Sequence, residues 1–170
     1  MDLKQHIRSV PDFPKAGILF YDITTLLRDP QGYRTTIDML ATPYQDRGIE
    51  TVVGIESRGF ILGAAVAHRI GAGFVPIRKP GKLPAKALKE TYDLEYGTDA
   101  LEIHEDAIVR GQKVLIVDDV LATGGTAAAA AQLVRKLGGD LHGLAFLIEL
   151  LFLDGKQKIT NENVYSVLQY

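Results

Sequence analysis

Asp118 and Asp119 stand side by side, and after a three-residue gap comes Thr123-Gly124-Gly125-Thr126. Adjacent carboxylates suit sugar hydroxyls, which donate hydrogen bonds to them, or a hydrated divalent cation. They repel phosphate. The threonine–glycine run has the opposite preference. Its hydroxyls, the close approach its glycines allow and the free N–H groups of a following helix would cradle a monophosphate. A molecule with a phosphate at one end and a diol at the other satisfies both halves. Neither GxGxxG nor a lysine after the glycines is present, so the common nucleotide loops do not fit. The plainer alternative is an Asp-rich turn before a capped helix, although paired acids at a buried strand end are costly unless used or satisfied.

Arg58, in Glu56-Ser57-Arg58-Gly59, is the second position with chemistry to offer. Its guanidinium fork can clamp pyrophosphate oxygens, or Glu56 can simply pair with it. Positive charge gathers again in Arg78-Lys79-Pro80-Gly81-Lys82 and at Lys86 and Lys89, which fits an anionic small molecule or a solvated loop. Phe20, in Ile18-Leu19-Phe20-Tyr21, offers a face for stacking on a base or a packing contact. His6, His68, His104 and His142 show no metal-ligand spacing, and the absence of cysteine removes disulfide and thiolate chemistry.

The elements that must position these groups follow from patterning. Val114-Leu115-Ile116-Val117 reads as a buried strand over 113–117. The alanine-rich run after the glycines reads as a helix over 127–137, closed by Gly138-Gly139. The same strand-to-helix step recurs at 51–55 and 60–70, with Arg58 between them, and further strands are expected at 73–77, 142–150 and 164–168. Asp29-Pro30 opens a helix striped by Tyr33, Ile37, Leu40 and Tyr44, which Pro43 should kink or end. The pattern implies an α/β fold with an open, mainly parallel sheet flanked by helices. Such sheets bind ligands at the carboxyl ends of their strands. Residues 1–28 read as an irregular arm. Residues 78–106 read as a two-stranded excursion, longer than an ordinary connection and therefore a candidate lid.

The 170 residues, 46% hydrophobic and 24% charged, suit one domain over 1–170 with a substantial core. A net charge of −2 argues against a nucleic-acid binder. No apolar run approaches transmembrane length, and the N-terminus has no secretion signal pattern. A cytoplasmic enzyme with a small-molecule substrate, and no nucleic-acid or membrane partner, is expected.

The stretch from Val114 through Thr126 resembles the 5-phosphoribosyl 1-pyrophosphate signature of the type I phosphoribosyltransferases, and the likeness runs over nearly the whole chain. It implies that family's fold, with a small N-terminal hood over 1–28 and a flexible, hairpin-like catalytic loop over 78–106. It also implies a homodimer and magnesium, held mainly through substrate and water near Asp118 and Asp119. In that likeness Ala122, Thr123, Gly124, Gly125, Thr126 and Ala127 fix the 5-phosphate, while Asp118 and Asp119 hold the ribose hydroxyls. Glu56, Ser57 and Arg58 form the pyrophosphate loop, with a cis peptide at Glu56–Ser57. Arg78, Lys79 and Lys82 belong to a basic loop that reaches its own site or a partner's.

Residues 13–22 resemble the hood of the adenine-using members. There the Leu19 carbonyl accepts from the exocyclic amine, Phe20 stacks, and the Tyr21 N–H donates to N1. A 6-oxopurine reverses that pattern and leaves buried groups unpaired. Tyr21 departs from the arginine common at its position. Glu95, with Tyr96 beside it, holds the base at N7, and Leu121 and Leu150 wall the base or belong to the core. The implied catalytic set is Arg58, Lys82, Glu95, Asp118 and Asp119. The implied reaction is a purine-salvage transfer to N9 of adenine, giving AMP and pyrophosphate. Its rivals are transfer to hypoxanthine, guanine or another base, and a non-catalytic sensor of the donor.

Overall fold

The computed structural model describes residues 1–94 and 96–170. The chain opens with an antiparallel pair, β1 (Arg8–Pro11) and β2 (Leu19–Asp22), followed by α1 (Thr24–Arg28) and α2 (Pro30–Ala41). Asp29 caps α2 by accepting the Gln31 N–H at 3.2 Å, and Pro30 occupies its first turn. Next come β3 (Thr51–Ile55), α3 (Arg58–Ile70) and β4 (Gly73–Ile77). An antiparallel hairpin follows, β5 (Ala87–Asp93) and β6 (Thr98–His104). The chain then returns through β7 (Lys113–Leu121), α4 (Gly125–Lys136), β8 (Asp140–Glu149) and β9 (Val164–Gln169).

The main sheet has five strands in the order β4-β3-β7-β8-β9, all parallel. Its three central strands are buried on both faces, which explains their near-continuous apolar sequence. Alternation along β7 divides the core. Leu115 and Val117 pack with Leu40 of α2 and Leu62 of α3. Val114 and Ile116 pack with Ala130 and Leu133 of α4 and with Leu101 and Ile103 of the hairpin. From β3 the chain winds toward β4, and from β7 it winds the other way toward β8 and β9. The β3–β7 seam is therefore a topological switch point, where open α/β sheets form a crevice.

Three local expectations need correction. β7 does not stop at residue 117 but pairs with β8 as far as Leu121, because apolar Val120 and Leu121 continue the ladder beyond the acids. α3 and α4 each begin two residues earlier than 60 and 127, at Arg58 and Gly125, since the first turn needs no apolar residue. The N-terminal arm is not simply irregular but carries β1, β2 and α1. Residues 151–159 form two 3-10 turns, Leu151–Leu153 and Gly155–Ile159. Among the described residues no helix is long and apolar enough to cross a membrane.

Candidate active site

At the switch point the ends of β3 and β7 lie against each other, and glycine makes that approach possible. A Cβ on Gly59 would come within 2.8 Å of Asp118 Oδ1 and 3.1 Å of the Val117 carbonyl. Arg58, beginning α3, is thereby carried to the acids. The Glu56–Ser57 peptide just before it is cis, as the family likeness implied.

Asp118 and Asp119 lie inside β7, so the two-residue period sends their side chains to opposite faces. The Asp119 carboxylate accepts from Arg58 Nε. Asp118 Oδ1 accepts the Asp119 N–H at 2.9 Å. Both are buried, at 9% and 7% exposure. Burial first, and the neighbouring Asp119 charge second, push Asp118 well above the usual carboxylate range. Burial alone would lower Arg58, but the Asp119 charge and hydrogen bond outweigh it and raise its pKa. Hydroxyl donors or a cation at Asp118 would favour its ionised form.

These groups line a cavity of about 230 Å³ that also contains Glu56, Ser57, Lys79, Ala122, Thr123, Gly124, Thr126 and Ala127. Gly124 has φ +87°, and α4 starts at the next residue, which leaves the helix's first N–H groups facing the loop. Carboxylates and phosphate-type donors therefore occupy different parts of one cavity. The described residues hold no cluster of three or more His, Cys, Asp or Glu arranged around a metal. Two carboxylates supplemented by water and ligand oxygens are the donor set that Mg²⁺ ordinarily accepts.

Glu56 is the hub of the basic segment rather than the partner of Arg58. Its carboxylate accepts the Lys79 N–H at 2.7 Å, pairs with Lys82 Nζ, and lies 3.7 Å from Arg78 Nε. Burial would raise its pKa, but the Lys82 hydrogen bond and the Lys79 N–H hold it below the usual value. The Lys79 ammonium pairs with Asp99 of β6. Tyr92 of β5 completes this group, with Oη 3.2 Å from Asp99 Oδ2, 3.4 Å from Lys79 Nζ and 3.2 Å from Thr126 Oγ1. Sequence reasoning missed Tyr92 and Asp99. Their strand alternation was legible, but which loop they faced was not.

The base-selecting candidates sit beside this cavity. The Phe20 ring lies 5.7 Å from Arg58 Cζ and meets Phe13 edge-on at 5.1 Å. Leu19 faces Pro11 across the β1–β2 pair, and Pro11 has no N–H to claim the Leu19 carbonyl. The Tyr21 ring packs on Tyr170 at 4.1 Å. Leu121 lines the cavity, and Leu150 donates its N–H to the Leu121 carbonyl at 3.0 Å. Gly125 lies beneath the Tyr92 ring, while Tyr96 is 83% exposed near the hairpin turn. Glu95, assigned to N7 by the family likeness, lies outside the described residues.

Residues 22–167 match the phosphoribosyl transferase domain family. The adenine phosphoribosyltransferase of Solibacter usitatus is 62% identical over 169 residues, covering 99% of this chain and 98% of the relative. The chain belongs to the adenine phosphoribosyltransferases. The crystal structure of the Thermoanaerobacter pseudethanolicus adenine phosphoribosyltransferase superposes with a TM-score of 0.97 at 51% identity, covering 99% of this chain and 98% of that one. The Saccharomyces cerevisiae adenine phosphoribosyltransferase, solved with an imino-altritol bisphosphate and adenine, gives 0.92 at 44% identity, covering 98% and 96%. The open parallel sheet expected from the sequence is thus the fold of this family.

Proposed function

We propose that the chain transfers the 5-phosphoribosyl group of 5-phosphoribosyl 1-pyrophosphate to N9 of adenine, yielding AMP and pyrophosphate in purine salvage. The observation that carries this reading is the cavity in which the acid pair and the threonine–glycine loop are separate walls. A ribose bearing a phosphate fits that division. The yeast relative solved with adenine supports the choice of base.

In this mechanism the first amides of α4, with Thr123 and Thr126, hold the 5-phosphate, and the carboxylates hold the ribose 2- and 3-hydroxyls. C1 is then fixed beneath the adenine, which rests on Phe20 between the backbone groups of Leu19 and Tyr21. The bond from C1 to the pyrophosphate oxygen breaks, the oxygen keeps the electron pair, and N9 closes on C1 as its proton passes to water. Positioning and complementary charge perform most of this work, and no protein nucleophile is needed. Arg58, with Lys79, Lys82 and Arg78, meets the charge that develops on the leaving group. Before substrate arrives, Glu56 and Asp99 satisfy those lysines. Mg²⁺ would be held mainly by substrate oxygens and water near Asp118 and Asp119, and it would supply further neutralisation of pyrophosphate.

The proposal assigns residues 1–28 as the hood, 78–106 as the catalytic loop and Glu95 as the group that holds N7. It places the enzyme in the cytoplasm, where its phosphorylated donor and product are retained, and makes it a homodimer. Exposed Met39 on α2 and Ile61 on α3 offer apolar surface for a second copy.

The deciding experiment incubates protein, Mg²⁺ and donor with adenine, hypoxanthine, guanine or orotate and quantifies the nucleotides formed. AMP should dominate. Equal rates with hypoxanthine would overturn the base assignment, and donor binding without nucleotide formation would indicate a sensor.

A further inference from the structure

Residues 151–158 are exposed with one exception, Gly155, which is buried. What buries it is the phosphate loop. A Cβ on Gly155 would collide with the Ala122 carbonyl and lie 3.1 Å from the Gly124 nitrogen. The converse also holds, because a Cβ on Gly124 would collide with the Gly155 carbonyl. Two backbones therefore press together with no side chain between them. Gly155 does not have positive φ, so its requirement for glycine is one of space alone.

The turn that carries Gly155 is fastened on both sides. Lys156 Nζ lies 3.0 Å from Glu149 Oε2, and the Glu149 side chain, at the end of β8, is only 5% exposed. Gln169 Nε2 of β9 also reaches that carboxylate, at 3.4 Å. Ile159, at the far end of the turn, is buried in the core against α4. None of these groups lines the cavity.

We infer that the Gly155 turn, clamped by Lys156 and Glu149, is a positioning element for the known reaction, setting the backbone of the phosphate loop from behind. The inference rests on the phosphoribosyl reading of that loop. Amides that bind phosphate must be fixed to a fraction of an ångström, since a misplacement of about 1 Å can cost about a hundredfold. A loop containing two adjacent glycines does not hold its own shape, because each is conformationally permissive. The fastened turn packed behind it supplies the missing constraint. Its influence should fall on the phosphate and not on the base.

The test measures steady-state KM for donor and for adenine, together with calorimetric binding of ribose 5-phosphate, in wild type, Gly155→Ala, Lys156→Met and Lys156→Arg. Gly155→Ala should raise the donor KM and the ribose 5-phosphate Kd by about tenfold to a hundredfold, with the adenine KM nearly unchanged. Lys156→Met should move in the same direction by less, and Lys156→Arg should restore wild-type values. Unchanged ribose 5-phosphate affinity in both Gly155→Ala and Lys156→Met would overturn the inference, as would equal rises in the KM of donor and adenine. If Gly155→Ala fails to fold, the Lys156 pair decides alone. If wild type binds ribose 5-phosphate without making AMP, the reaction assignment fails, and the binding comparison still judges the buttress.

Discussion

Tyr92 Oη lies 3.2 Å from Thr126 Oγ1 although 34 positions separate the two residues. The same oxygen reaches Lys79 and Asp99, so one phenol joins the hairpin and the basic loop to the threonine–glycine loop. Tyr92→Phe keeps the ring over Gly125 and deletes only those bonds. A hydrogen bond contributes about 0.5–1.5 kcal/mol, so kcat/KM for the donor should fall by about 2- to 10-fold while the Tm hardly moves. A variant with wild-type kinetics would show that the network has no part in turnover.

Arg58 and Asp119 act as a pair, joined by a hydrogen bond between adjacent strand ends. Removing either leaves the other charge without its partner. Arg58→Ala and Asp119→Ala should each lower kcat/KM by about 100-fold or more, the scale of losing one preorganised electrostatic contact. The double variant should be much less impaired than the product of the two effects. Fully multiplicative losses in AMP formation would mean that the two residues work independently.

Asp118 links stability to activity with opposite signs. Burial raises its pKa in the folded protein, so the folded state retains a proton that the unfolded chain releases over the intervening pH range. Its contribution to stability is therefore fully present at acid pH and is lost as the pH rises through the folded value. Asp118→Asn removes the buried charge. At neutral pH the ligand-free variant should melt higher, by about 2–4 °C for each kcal/mol recovered. That advantage should vanish near about pH 4, the ordinary carboxylate value. Its turnover should nevertheless drop, because a ribose hydroxyl loses an anionic acceptor. Calorimetric melts across pH, compared with wild type, check the sign.

Phe20 is only partly buried beside Arg58, so it can be truncated without opening the core. Base–aromatic stacking contributes about 1–3 kcal/mol, which makes Phe20→Ala about 5- to 150-fold weaker toward adenine. The donor KM should be nearly unchanged. An equal loss for both substrates would place Phe20 in the scaffold.

Much of the site is legible in the amino-acid order. The Val114-Leu115-Ile116-Val117 run identifies a buried strand, and the alanine run after Gly124-Gly125 identifies a helix, though not its first turn at Gly125, because patterning and turn preference act over a few residues. The same patterning puts the acids after β7 instead of within it, since carboxylates look like the end of a hydrophobic run. It also leaves the partner of Arg58 undetermined. Glu56 is the nearer acid in sequence, yet Asp119, 61 positions away, holds the guanidinium, and Glu56 gathers the basic loop.

The amino-acid order alone thus determined the alternation of strands and helices, the strand ends at which the candidate site lies, and the charge and hydrogen-bonding character of its loops. Each depends on local period, on glycine geometry or on the charge of adjacent side chains. Tertiary structure decided that Arg58 meets Asp119, that Tyr92 reaches Thr126, and that Gly155 seats against Gly124. Those contacts depend on strand order and register, and on how a hairpin and a turn fold back over the sheet. Chain neighbours do not encode such distances. They arise only when burial of two core faces fixes where each loop must emerge.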